Sequence, residues 1–143
     1  GIRGKIFMGK LHLEVITPAG VIASVQADMV VAPGTDGKFG VLPGHIRFLS
    51  GIVPGELHFT NGNKTEYMAV SSGFVEVNND VVSVLVDSAE MAENIDVKRA
   101  MSAMERAKQR LAKKSDTGDT DLARAEASFK RADSRLKVSG KSS

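Results

Sequence analysis

Two different periods of apolar residues divide this chain. Near the start, Leu11, Leu13 and Val15 alternate with His12 and Glu14. Successive side chains of a strand point to opposite faces, so this is a half-buried β-strand. Val25, Ala27, Met29 and Val31 alternate with Gln26, Asp28 and Val30, which predicts a second strand running through Asp28. Leu57–Thr60 is followed by Asn61-Gly62 and then by Glu66–Val70. Asn-Gly between two such runs marks a two-residue hairpin, because its turn positions take positive φ. Phe74, Val75 and Val77 precede Asn78-Asn79-Asp80, and Val81–Val86 resumes the pattern as a second hairpin. Many short strands at this spacing predict an antiparallel sandwich or barrel.

Beyond about Glu93 the period changes from two to that of a helix. Val97, Met101, Met104 and Leu111 recur at helical spacing, with Ala100 and Ala107 widening the stripe. Asp96 falls in the first turn and Lys113 and Lys114 in the last, where they complement the helix dipole. Ser115–Thr120, containing Gly118, reads as a turn. Leu122, Ala125, Phe129, Ala132 and Leu136 then form a seam for a partner helix, with Asp119 or Thr120 as N-cap. Two helices of about 18 residues, hence ~27 Å each, give an αα-hairpin. Alanines dominate both seams. Each buries little area at ~25 cal/mol per Å², so the arm is expected to detach easily.

Composition places the same boundary. All four prolines (18, 33, 43 and 54) precede Glu93, and only Gly118 interrupts the stretch from Ile95 to Val138. The net charge of +2 is a cancellation. Residues 1–93 carry six bases against ten acids, and residues 94–143 thirteen bases against seven acids. An acidic β body of −4 is thus joined to a basic arm of +6. The expected organisation is a β-sandwich over residues 8–92, an αα-hairpin over 93–138 and a disordered tail over 139–143. Residues 1–7 fit neither pattern and read as an expression remnant before Met8. The 143-residue length is too short for a TIM barrel. The absence of Cys excludes disulfides, Cys-ligated metal and a thiolate nucleophile. The longest charge-free stretch, Val15–Ala27, has 13 residues, whereas a membrane-spanning helix needs about 20.

Few residues point to chemistry. His12, His45 and His58 lack metal-ligand spacing. His12 and His58 fall on polar faces of predicted strands and read as surface residues. His45 ends the loop Gly40-Val41-Leu42-Pro43-Gly44-His45. No Ser/His/Asp constellation is recognisable, so an enzyme is disfavoured. The glycines from Pro33 to Gly40 are not a phosphate loop, because no Gly-Lys-Ser/Thr opens a helix there. In the arm, Asp96, Arg99 and Arg106 share one helical face, and Arg131 and Arg135 lie at i, i+4 beside the second seam. Two readings are open. The four arginines clamp an anion bidentately, or they form two solvated basic faces. Phe129 is the arm's one aromatic residue, so the arm offers no stacking platform for nucleic acid. An acidic protein or a small polyphosphate suits it better.

Long motifs give a resemblance. They are Val31-Ala32-Pro33-Gly34 through Gly37-Lys38-Phe39-Gly40-Val41-Leu42-Pro43-Gly44-His45, and Val53-Pro54-Gly55-Glu56-Leu57. They continue in Ala69-Val70-Ser71-Ser72-Gly73-Phe74-Val75-Glu76-Val77 and Val84-Leu85-Val86-Asp87-Ser88-Ala89-Glu90. Over residues 9–138 the chain closely resembles the epsilon subunits of bacterial rotary F-type ATP synthases. The resemblance implies a sandwich followed by a helical hairpin, acting as a non-catalytic rotor subunit. Its implied partners are the gamma subunit, the c-ring and the alpha/beta catalytic head, without nucleic acid. It would lie peripherally on the cytoplasmic face of the membrane, held there by those partners.

The resemblance also implies roles for particular residues. Lys38 and His45 would face the c-ring, although Lys38 replaces an acid found in some relatives and Arg47 a common proline. The arm would inhibit ATP hydrolysis when extended into the head, with Lys108, Arg110, Lys113 and Lys114 meeting an acidic beta segment. Ile95-Asp96-Val97-Lys98-Arg99-Ala100 matches a motif with which some members bind a regulatory ATP. The implied ATP residues are Glu90, Asp96, Arg99, Arg106, Arg131 and Arg135. No cofactor is required for the rotor role. The alternative is a free-standing nucleotide-sensing or nucleic-acid-binding module with a basic helical hairpin.

Overall fold

The strand periodicity builds one sheet that curls over its own core. The computed structural model describes residues 10–44, 47–113 and 119–141. The strands are β1 (Leu11–Thr17), β2 (Gly20–Ala27), β3 (Met29–Gly34), β4 (Gly37–Val41) and β5 (Phe48–Ile52). They continue as β6 (Gly55–Asn61), β7 (Lys64–Val70), β8 (Gly73–Asn78), β9 (Val81–Val86) and β10 (Ala89–Met91). A 3₁₀ turn (Ala92–Asn94) leads to helices α1 (Val97–Ala112) and α2 (Asp119–Ser139). The sheet order is β10-β7-β6-β3-β5-β8-β9-β1-β2, with β4 paired to β3. β2 meets β6 and β1 meets β10 although neither pair is adjacent in the sheet, so its two ends face each other. The enclosed core includes Leu11, Leu13, Val15, Leu57, Met68, Val75, Val82 and Val84. This is the expected sandwich, with one departure: β1 and β9 run parallel, while the other pairs are antiparallel.

Both predicted hairpins form, one displaced by a residue. Asn78 pairs with Val81, leaving Asn79 (φ 50°) and Asp80 (φ 64°) as the turn. In the other, Asn61 already pairs with Lys64, so the turn residues are Gly62 and Asn63. Only Gly62 has positive φ (64°), which is what a II′-type turn asks of its first central position.

Two strand readings need correction. The chain does not run straight through Asp28. Before it Ala27 is buried, and after it Val30 and Ala32 are, so the period-two register reverses. The bend is held by Asp28 itself. Its N–H donates to the Thr60 carbonyl (2.7 Å), and its carboxylate accepts from Gly62 N–H (2.7 Å) and pairs with Lys10 (2.6 Å). Hydrogen bonds from Lys10 and Gly62 hold that carboxyl below its ordinary pKa. The loop expected from Gly40 also begins later, because Gly37–Val41 form β4 against β3. Gly34 and Gly37 pair as the closing residues of a β3–β4 hairpin. A Cβ on Gly34 would sit 2.8 Å from the Gly37 carbonyl oxygen and 2.9 Å from the Phe39 ring, so glycine is what lets this hairpin close.

The arm folds down on the sandwich as a helical hairpin, but its seam is rotated from the predicted one. Val97 and Met101 are 43% and 58% exposed, whereas Ala100 and Ala107 are buried. Across the seam Ala125 and Ala132 are buried, and Leu122, Phe129 and Leu136 are only half-buried. The backbones meet along the small residues, and the longer side chains flank the line of contact. Asp119 already lies in α2, so the N-cap of α2 falls outside the described residues. Most sandwich contacts of the arm are made by α2, against β6, β7 and the 3₁₀ turn. Val138 is fully buried there with Ala69, Ala92 and Ile95, beside Tyr67.

The end of α2 is ordered further than the sequence implies. The helix includes Ser139, and Lys141 bonds Glu56 of β6. The Lys141 ammonium also lies 5.0 Å from the centre of the Tyr67 ring. Ser139–Lys141 therefore do not belong to a disordered tail. His58 differs as well. It is half-buried and its Nδ1 lies 3.0 Å from Glu56 Oε2. Burial pushes the Glu56 carboxyl up, but hydrogen bonds from Lys141 and His58 and their charges outweigh it and leave the pKa lowered. Lys141 is raised, by the same bond to Glu56.

A depressed carboxylate stabilises the docked arm above its unfolded pKa and loses that contribution as pH falls through the lower, folded value. A raised ammonium contributes below its own unfolded value. Tyr67, the chain's one tyrosine, reports on this contact. Its fluorescence should change below about pH 4, as Glu56 protonates. An unchanged signal below about pH 4 would contradict this assignment.

Candidate functional site

The folded arm gathers charged side chains from three elements at the edge of β10. Glu90 belongs to β10, Arg99 to the first turn of α1, and Arg135 to the last third of α2. Asp96 precedes α1 and caps it, its carboxylate accepting from the Arg99 N–H at 3.0 Å. This is an ordinary N-cap, which satisfies a helix donor with no intrahelical partner. Arg135 Nε lies 2.6 Å from Glu90 Oε1, with both side chains one-third exposed. Glu90, Asp96, Arg99, Ala100 and Arg135 line a depression of about 200 Å³.

Arg131, one turn before Arg135, lines an adjoining recess with Ser71, Ser88 and Arg135. Its Nη2 donates to Ser128 Oγ at 3.1 Å. Ser71 is buried and ties the two sheet segments together. Its hydroxyl donates to the Ser88 carbonyl (3.3 Å) and accepts from the Ser88 N–H (2.7 Å). Five of the six residues expected for ATP therefore meet at two neighbouring hollows. Arg106 is exposed on α1 and lines neither. Ala100, Ser71 and Ser88 were not expected. Ala100 had a signal, since it ends the motif Ile95–Ala100. The serines had none, because their approach to Arg131 depends on how α2 docks.

The depression holds two carboxylates and two guanidinium groups. Glu90 engages Arg135, and Asp96 engages the α1 backbone. Arg99 makes no ion pair among the described residues. An incoming anion thus meets one uncommitted guanidinium and a second that must exchange a carboxylate for it. Charge-assisted bidentate bonding to phosphate oxygens suits that pair.

The other expected contact residues lie apart. Lys38 is exposed on β4 and lines a larger cleft of about 530 Å³, facing Glu56 and the α2 residues Lys130, Asp133 and Lys137. His45 lies outside the described residues. Lys108, Arg110 and Lys113 are exposed at the far end of α1, and Lys114 lies outside the described residues. An apolar outer patch went unpredicted. Leu49, Phe74 and Leu85 on β5, β8 and β9 are 72%, 61% and 46% exposed, and Phe74 pairs directly with Leu85. The signal was present in the run Phe74-Val75, which puts an apolar residue on each face of β8. Among the described residues no three His, Asp or Glu side chains are placed to hold a metal ion. No described helix is long and apolar enough to cross a membrane.

A strand-rich body with a docked basic arm, a small mixed-charge depression and an apolar outer face defines a binding and docking module. The family models divide it at the same place. Residues 10–92 match the beta-sandwich domain of the ATP synthase Delta/Epsilon chain, and residues 93–140 match the long alpha-helix domain of that chain. The chain belongs to the ATP synthase delta/epsilon chain family. It is 48% identical over 130 residues to the ATP synthase epsilon chain of Nitratidesulfovibrio vulgaris strain DP4, covering 91% of this chain and 96% of that one. It is 46% identical over 132 residues to the epsilon chain of Syntrophobacter fumaroxidans, covering 92% and 97%. Among solved structures, its fold matches a chain of the Euglena gracilis mitochondrial ATP synthase OSCP/F1/c-ring complex. That match has a TM-score of 0.74 at 22% identity, and covers 87% of this chain and 78% of that chain. These findings favour the rotor-subunit reading over a free-standing nucleotide- or nucleic-acid-binding module.

Proposed function

We propose that the chain works as a non-catalytic epsilon subunit in the central stalk of a rotary F-type ATP synthase, with its arm as a nucleotide-responsive brake on hydrolysis. The sandwich is the fixed part. Its apolar outer face, with Leu49, Phe74 and Leu85, is suited to a protein partner, and the gamma subunit fits that requirement. Lys38 and His45 face the c-ring. The subunit is peripheral, on the cytoplasmic face, and held to the membrane by its partners. The arm is the moving part. When extended, it presents Lys108, Arg110, Lys113 and Lys114 to an acidic segment of the catalytic head.

One observation carries the nucleotide response: the depression is shared by β10, α1 and α2. It exists only while the arm is docked, so a ligand held there draws the population toward the docked state. ATP is the ligand we assign. At about 200 Å³ the depression is smaller than the ~300 Å³ at which pockets for whole small molecules begin. It takes a polyphosphate, and the rest of the nucleotide lies outside, near Arg131. Glu90, Asp96, Arg99, Arg131 and Arg135 are the contact residues, and Arg106, outside both hollows, is left out of the set.

Calorimetric titration of the full chain with ATP tests this. Binding heat is expected at millimolar ATP or below. Arg99→Ala should weaken it about tenfold or more, since a charge-assisted bond contributes ~1.5–3 kcal/mol. No heat at millimolar ATP, or equal affinity in the variant, sinks the nucleotide reading.

A further inference from the structure

The face of the sandwich beneath α2 carries three residues in a row across three strands. Glu56 of β6 pairs with Ala69 of β7, and Ala69 pairs with Glu90 of β10. Directly paired residues project to the same face, so acid, small apolar and acid stand side by side. The end of α2 matches this row. Arg135 bonds Glu90, Val138 is buried with Ala69, and Lys141 bonds Glu56. Both ion pairs have their acid on the sandwich and their base on the arm.

The two pairs have different surroundings. Glu90–Arg135 lines the depression assigned to a polyanion, so an anion there competes with Glu90 for the guanidinium. Glu56–Lys141 lies outside that depression and has its own support. His58 holds the second Glu56 oxygen, its ring is 5.4 Å from that of Tyr67, and Tyr67 underlies the Lys141 ammonium. Lys141 itself is placed by the turn that ends α2, its N–H donating to the Val138 carbonyl at 2.9 Å.

We infer that Lys141, Glu56 and Tyr67 form a ligand-independent latch that holds the arm on the sandwich and sets its docked fraction. The latch keeps Val138 seated while Arg135 exchanges Glu90 for an incoming anion. This deepens the arm-switch reading above. It rests on the arm moving, not on ATP being the ligand.

The chain has no cysteine, so Ala69→Cys places a single thiol under Val138. Its labelling rate by a soluble disulfide reagent, without nucleotide, measures how often α2 lifts. In that background Lys141→Glu and Glu56→Lys should each speed labelling about three- to tenfold, the range expected for an exposed ion pair together with a cation–π contact. The double swap should return the rate to within about threefold of the Ala69→Cys parent. Glu56 lies within the sandwich, so far-UV circular dichroism confirms that each variant is folded. If Glu56→Lys does not fold, Lys141→Glu is compared with Lys141→Ala and Tyr67→Leu, each of which should speed labelling.

Rates within twofold of the parent in every folded single variant would overturn the latch. A double swap no slower than the singles would do the same. The calorimetric titration is independent: a working latch with no ATP heat removes only the nucleotide reading.

Discussion

Ending the chain after Ala92 should abolish the arm's inhibition of ATP hydrolysis and leave a folded sandwich. Among the described residues the main core and the side chains packed on it are drawn from residues 11–91, so removing the arm takes nothing from it. What is lost is the satellite cluster in which Ile95 and Val138 cover Ala69 and Tyr67. The exposed remainder is small, and the thermal midpoint should fall by no more than a few degrees, corresponding to ~1 kcal/mol in a domain of this size. Functionally the effect is total. The removed segment contains Lys108, Arg110, Lys113 and Lys114, and three of the four charged residues lining the depression. Reconstitution of a gamma-containing head with full and truncated chains is the measurement. Full-length chain should slow ATP hydrolysis and the truncated chain should not. Equal inhibition by both would place the brake in the sandwich and refute an arm mechanism. ATP heat retained by the truncated chain would move the nucleotide site off the arm.

Gly73→Ala should do the reverse, destroying the sandwich on which everything else rests. Gly73 pairs with Val86 of β9 and Ile52 of β5, within the β5-β8-β9 part of the sheet. An added Cβ would run into the Leu85 carbonyl oxygen, with the Leu85 carbonyl carbon and Val86 Cα each 2.8 Å away. All three obstacles are backbone. No side chain is available to rotate aside, and relief requires prising β9 from β8. We expect a loss of about 4 kcal/mol or more, in the range reserved for steric failure inside a packed element. For a domain of this size that lowers the thermal midpoint by roughly 15–30 °C. Gly62→Ala is the control. Its φ of +64° strains an alanine, but the space around it is open, so only ~1–2 kcal/mol should be lost. Thermal circular dichroism separates the two. A midpoint for Gly73→Ala within about 5 °C of the parent would mean that the strands part more easily than their pairing implies.

These expectations draw unequally on sequence and structure. The change of period near Glu93, the loss of glycine and proline beyond it and the opposite charges of the two parts are one-dimensional properties, and they were legible without coordinates. The two hairpins were legible for the same reason, since the turn chemistry of Asn61-Gly62 and Asn78-Asn79-Asp80 is local, although the first turn falls one residue later, at Gly62-Asn63. Asp96 was legible as an acid at the start of the helix, but it precedes the first turn and caps it. The motif Ile95–Ala100 carried the expectation of an ATP site through the family resemblance.

Other features depend on which strands become neighbours. The reversal of register at Asp28 follows from its bonds to Thr60 and Gly62, more than thirty residues away along the chain. The buried face of α1 passed from the larger apolar residues to Ala100 and Ala107 because helix backbones approach closest where side chains are smallest. The row Glu56–Ala69–Glu90 has no sequence signature, since its members are brought together only by the pairing of β6, β7 and β10. Local pattern and composition were enough for the two parts, their opposite charges and the residue types available for binding an anion. The tertiary structure decided which of those charges meet, because ion pairs between a sheet and a helix depend on strand order and docking register, which no local pattern encodes.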